Sequence, residues 1–162
     1  MNKQELQNEI NKTKEHLKNM EKMLEECKYE RWKPKDNEMF WYIDNSGFVN
    51  YSLFMPETES RFKNYNCFQT REQAEAESQK ILVRRQLEVI AKCLNKGEKI
   101  DWRDDSQPKF YLYYNCCSEN IKYGIYYHSK IAGVVYCLTE KLLDIAKEEI
   151  GEERLIKYLK GE

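Results

Sequence analysis

Residues 110–128 read FYLYYNCCSENIKYGIYYH, with seven aromatic side chains, two adjacent cysteines and a histidine in nineteen positions. Successive side chains of a strand point to opposite faces, and Tyr, Phe and Ile suit a pleated, half-buried surface. The stretch therefore divides into two strands, residues 109–116 and 121–128. Phe110, Leu112, Tyr114 and Cys116 share one face with Ile121, Tyr123, Ile125 and Tyr127, which reads as core. The other face carries Lys109, Tyr111, Tyr113, Lys122, Gly124, Tyr126 and His128. That second face is amphipathic. Tyrosine offers apolar area with a polar tip at low entropic cost, which suits an interface, so Lys109, Tyr111, Tyr113, Lys122, Tyr126 and His128 are the candidate partner-binding residues. The competing reading is that the N-terminal helix covers this face.

Outward from this pair, the pattern is mixed. Residues 38–43 (EMFWYI) and 47–54 (GFVNYSLF) read as a hairpin across Asp44, Asn45, Ser46 and Gly47, all tolerant of turns. Residues 61–68 (RFKNYNCF) and 133–138 (GVVYCL) read as further short strands. Thr70 followed by Gln73 is a capping-box signature, opening a helix to about Asn95 with an apolar stripe of Ala76, Val83, Leu87, Ile90 and Leu94. Asn95, Lys96 and Gly97 stop it. Thr139 precedes a helix carrying Leu142, Ala146 and Ile150, Gly151 breaks it, and Leu155, Ile156 and Leu159 mark a last amphipathic turn.

At the N-terminus, Leu6, Ile10, Thr13, Leu17, Met20, Leu24 and Cys27 alternate by four and three, a 3.5-residue period with only Thr13 polar. Such a seam wants another helix or a sheet. Either two copies pair through Leu6, Ile10, Leu17, Met20 and Leu24 as a homodimeric coiled coil, or the stripe packs on the protein's own sheet. The expected fold class is α+β: a coiled-coil-like helix (residues 1–30), then a globular domain (residues 31–162). That domain is expected to hold an antiparallel sheet of about five to six strands with a long middle helix and a C-terminal helix.

Composition bounds the function. The 162 residues are 34% charged, 41% hydrophobic and 13% aromatic, enough to build a core. The net charge is −1, so neither a strongly basic nucleic-acid binder nor a densely acidic mimic is indicated over the whole chain. No run approaches the roughly 18 apolar residues of a membrane span, and the polar start MNKQELQNEINK lacks a secretory core. A cytoplasmic protein without membrane contact is expected. Its six cysteines, with no C-x-x-C pair, read as reduced and mostly buried.

Four chemistries can be placed on named residues. Cys116, Cys117 and His128 are a poor zinc set, because adjacent strand residues face apart, and no motif nominates a cysteine to pair with His128 or His16. Glu98, Asp101, Asp104 and Asp105 would suit a magnesium-dependent nuclease-like enzyme, but adjacent acids before a strand are the ordinary composition of a turn. Lys80, Arg84 and Arg85 on the middle helix would suit a phosphate backbone, against the interleaved Glu72, Glu75, Glu77 and Glu88 of an ordinary charged face. No catalytic residue, metal site or cofactor is assigned.

Several stretches together resemble small accessory proteins of phages and mobile elements in low-GC bacteria. They are the charged heptad opener; Trp32, Lys33 and Pro34 with Glu38, Met39 and Phe40; residues 66–75 (NCFQTREQAE); and residues 135–139 (VYCLT) through 150–153 (IGEE). The likeness expects a glutamate where Gln73 stands, a change that leaves the helix cap intact. It implies a non-enzymatic interaction protein that inhibits a host defence system in the bacterial cytoplasm, by binding a protein effector such as a CRISPR nuclease complex. A nucleic-acid-binding accessory protein is the alternative, and a metal-dependent enzyme the second alternative.

Overall fold

The computed structural model describes residues 3–26 and 31–162, apart from the side chains of some α1 positions, Leu6 and Leu24 among them. The chain divides into two units, Met1–Lys33 and Pro34–Glu162. The first holds one helix, α1 (Lys3–Glu26). Of its seam, Ile10, Leu17 and Met20 are exposed, and the Thr13 hydroxyl donates back to the Glu9 carbonyl at 2.9 Å. Cys27 lies outside the described residues.

The second unit is α+β, with strands β1 (Met39–Ile43) and β2 (Val49–Leu53), helices α2 (Glu59–Lys63) and α3 (Arg71–Leu94), strands β3 (Lys109–Asn115) and β4 (Asn120–Tyr126), and helices α4 (Leu142–Ile150) and α5 (Glu152–Lys160). A sheet of five to six strands does not form. Instead there are two antiparallel pairs, β1 with β2 and β3 with β4.

The two missing strands have separate physical explanations. In residues 61–68, Thr58 accepts from the Met55 amide at 2.9 Å and opens a helical turn, so Arg61–Lys63 coil into α2 and Phe62 turns edge-on to Phe54. Only Phe68 bridges β1, exchanging both backbone bonds with Trp41 at 2.9 Å. Asn66 extends that bridge with its side chain, whose amide donates to the Ile43 carbonyl (2.6 Å) and accepts from the Ile43 amide (2.8 Å). In residues 133–138, only Cys137 bridges β3, to Phe110. Ahead of it the chain turns at Gly133 (φ +84°), and a small cavity separates Val134 and Val135 from Leu112.

Local signals place the remaining elements. The Asp44 carboxylate accepts the Ser46 and Phe48 amides (2.9 and 3.0 Å) while Gly47 takes φ +90°, closing the first hairpin. Thr70 and Gln73 exchange both bonds of the capping box at 3.3 Å. The buried stripe of α3 is Ala74, Val83, Leu87 and Ala91. Ala76, expected inside, is exposed, because the stripe enters α3 on the face of Ala74. With Leu112, Ile121, Cys137, Leu142, Ala146, Ile150 and Leu155, the last three α3 residues form the core among α3, α4, α5 and the second hairpin. Phe40, Ile43, Phe54 and Cys67 are buried around the first hairpin.

The cysteine expectation needs correcting. Cys67 and Cys137 are buried, but Cys93, Cys116 and Cys117 are exposed. β3 ends one residue before Cys116, because the Asn115 side chain accepts the Cys117 and Ser118 amides (3.0 Å each) and turns the chain. No described helix is long and apolar enough to cross a membrane.

Candidate functional site

The register of β3 and β4 sets Lys109 opposite Tyr126, Tyr111 opposite Gly124 and Tyr113 opposite Lys122, so these residues share a face. They are not one open surface. Tyr111 stacks on Tyr126 (centroids 4.9 Å apart, planes 17° apart), and Tyr136 closes over both at 5.9 and 6.4 Å. Trp102 then meets Tyr136 edge-on at 4.9 Å. Gly124 leaves room for this stack, because a Cβ there would have to push the Tyr111 ring aside. The cover comes from the loops after α3 and β4, held in place when the Tyr136 hydroxyl accepts the Ile131 amide at 2.9 Å. Burial together with the Tyr126 hydroxyl pushes the Tyr111 phenol above its ordinary value.

Lys109 is fully buried within this cluster, which removes it from any contact surface. Its Nζ donates to the Asp104 carbonyl (2.6 Å) and the Tyr127 carbonyl (3.0 Å), clipping the 101–107 loop to the end of β4. His128 is exposed and occupied by Asp105, Nδ1 to Oδ1 at 2.8 Å. Of the six candidate residues, Tyr111, Tyr113 and Tyr126 are half-buried, and Lys122 lies in solvent beside Tyr113.

The reverse face is core only around Leu112 and Ile121. Tyr123, Ile125 and Tyr127, expected inside, are each about two-fifths exposed: 39%, 43% and 40%. α4 and α5 make most of their strand contacts with β3, so β4 beyond Ile121 is left bare. Tyr123 donates to Glu140 at 3.2 Å across this open margin, and that bond, with the nearby carboxylate charge, raises its phenol pKa.

A group of exposed apolar side chains lies on the first hairpin. Met39 faces Leu53 and Trp41 faces Tyr51 in register. Met39, Tyr51 and Leu53 stand 51%, 66% and 48% exposed, with Phe48 beyond the turn at 70%. Tyr51 meets Trp41 edge-on at 5.6 Å, and the Arg71 guanidinium lies 5.8 Å over the same indole. The sequence signal was present in the alternation of EMFWYI and VNYSL, but both faces of this hairpin are rich in large side chains. The opposite face is sealed by Phe54, Phe62 and Arg61, whose guanidinium sits 3.4 Å over Tyr42.

The basic residues of α3 divide. Lys80 donates to the Gly161 carbonyl at 2.6 Å and Arg84 pairs with Glu88 at 3.0 Å, leaving Arg85 beside the groove lined by Phe48, Val49 and Leu82. The acidic loop spends its carboxylates locally: Asp101 accepts the Arg103 amide and Asp104 caps Ser106, both at 2.8 Å, which holds the Asp104 carboxyl below its usual range. Among the described residues no three His, Cys, Asp or Glu side chains gather as metal ligands. No family model, curated protein or solved structure matches the chain.

Proposed function

We propose that this chain is a non-enzymatic interaction protein of phage or mobile-element type, which inhibits a host defence system by occupying a surface of a protein effector. The supporting observation is the outward face of the first hairpin. Three large apolar side chains, Met39, Tyr51 and Leu53, stand about half exposed or more on a rigid, paired scaffold, with a cation-bearing neighbour in Arg71. Contiguous apolar surface of this kind is costly to leave in water and marks binding sites, and aromatic side chains beside arginine are the commonest energetic anchors of protein interfaces. The class of target rests on the likeness of the helix-cap and hairpin stretches to phage accessory proteins.

The test is a panel of purified defence nuclease complexes assayed with and without the chain. Tyr51→Ala combined with Leu53→Ala should abolish inhibition of whichever effector responds, with circular dichroism unchanged. Undiminished inhibition by that double variant would move the docking surface elsewhere.

Homodimerisation through α1 belongs to the same reading, supported by the exposed Ile10, Leu17 and Met20 of the seam. Light scattering should report a dimer for the native chain and a monomer for Ile10→Glu with Leu17→Glu, since charges in an a/d seam are strongly unfavourable. A monomeric native chain would remove the dimer from the proposal.

A further inference from the structure

We propose that the cleft between the C-terminal half of α3 and the 130–136 loop binds an extended acidic segment of a partner protein, anchored by one aliphatic side chain. This site is separate from the hairpin face and does not depend on the function proposed above. The cleft is open, about 930 Å³, with Ala91, Trp102, Val134, Val135 and Tyr136 along its floor. Lys92, Lys99 and Lys130 stand exposed around its mouth and make no ion pair among the described residues. Arg84 and Glu88 satisfy each other, which leaves Glu98 as the one carboxylate against three lysines at this rim. Their field favours an anionic ligand.

The choice of a peptide over a nucleic acid comes from the second feature. Residues 133–135 also wall a smaller cavity of about 70 Å³, whose other sides are Leu87, Leu112, Leu142, Tyr158 and Leu159. It exists because the chain stands off β3 once the single bridge from Cys137 to Phe110 has been made. Its volume is on the order of two waters of liquid, the size of a branched aliphatic side chain. A nucleobase is larger, and its ring nitrogens and carbonyls would be buried there without hydrogen-bond partners, which strongly disfavours it. The wall between cleft and cavity is short and lightly held. Val134 donates to Ile131 at 3.4 Å, Ile131 donates to Tyr136, and Gly133 sits between them with φ +84°.

The probes are blocked synthetic nonapeptides titrated calorimetrically into the full chain: one with a central leucine flanked by aspartate and glutamate, one with the leucine replaced by alanine, and one with lysine flanks. The acidic leucine peptide should bind, and the alanine anchor should weaken it about tenfold or more, as the loss of methylenes from an apolar pocket does. Lys92→Glu with Lys99→Glu should weaken it by about tenfold or more, and the lysine-flanked peptide should not bind. Val134→Phe should fill the cavity and erase the difference between leucine and alanine. If that variant fails to fold, the exposed lysine reversals and the alanine peptide still decide the matter. The proposal is overturned by no binding up to about 1 mM to folded protein, or by equal affinity for all three peptides. It is equally overturned by an oligothymidylate that binds more tightly than the acidic peptide and is insensitive to filling of the cavity.

Discussion

In the β1–β2 hairpin, the face carrying Phe40 is sealed by Phe54, with Phe62 behind it, while the other leaves Met39, Tyr51 and Leu53 in solvent. In the β3–β4 hairpin both faces are covered over part of their length, one by the core of α3, α4 and α5 and the other by Tyr136 with Trp102 behind it. The hairpin richer in tyrosine therefore offers the less open aromatic surface. Aromatic density alone does not locate an interface; what matters is which distant loop returns to cover each face. Tyr111 and Tyr126 cover one another, whereas Tyr51 has Trp41 on one side and is otherwise largely exposed.

The sharpest way to break this contrast is to truncate its extremes. Phe40→Ala should destabilise the fold by about 3–5 kcal/mol in urea denaturation, since the ring is wholly buried and its neighbours cannot collapse fully into the space. A loss below about 1 kcal/mol would mean that the Phe40 face is not a sealed core. Next in size is Gly124→Val, expected to cost about 1–3 kcal/mol by driving Tyr111 off Tyr126. The near-ultraviolet circular dichroism of the tyrosine stack should fall with it. Unchanged stability and spectrum would show that the stack is not the cover it is taken to be.

At the small end, Tyr51→Ala should leave stability within about 0.5 kcal/mol, because an exposed side chain forfeits little on truncation. A loss above about 2 kcal/mol would place Tyr51 inside a packed face and erase the difference between the hairpins.

An alkaline titration sharpens the comparison from another side. Tyr111 is raised mainly by burial, Tyr123 by its bond to Glu140 and Tyr158 by burial. A raised folded-state phenol stabilises the protein fully below the unfolded value near 10, and that contribution is lost as pH climbs through the folded value. Absorbance at about 295 nm should therefore show late-ionising tyrosines, the urea midpoint should fall above about pH 10, and Tyr111→Phe should remove one late step. Simultaneous ionisation of every tyrosine would show the cluster to be open to solvent.

The sequence determined what depends on neighbours a few residues apart. Asp44 with Gly47 dictated the first turn, Thr70 with Gln73 the start of α3, and Gly151 the break between α4 and α5, because each is a hydrogen-bonding or backbone constraint closed within about five residues. Both hairpins, the two-sided tyrosine pattern and the Leu142, Ala146 and Ile150 stripe were legible for the same reason. Only the tertiary structure decided that residues 61–63 coil into α2 and that this segment meets β1 at Phe68 alone, that residues 133–138 touch β3 at Cys137 alone, that Lys109 lies inside, and that Tyr123, Ile125 and Tyr127 lie outside. A strand's alternation has the same period whether a face meets a helix, a loop or water. What covers it is supplied by chain tens of residues away, as Tyr136 covers Tyr111 and Phe62 supports Phe54.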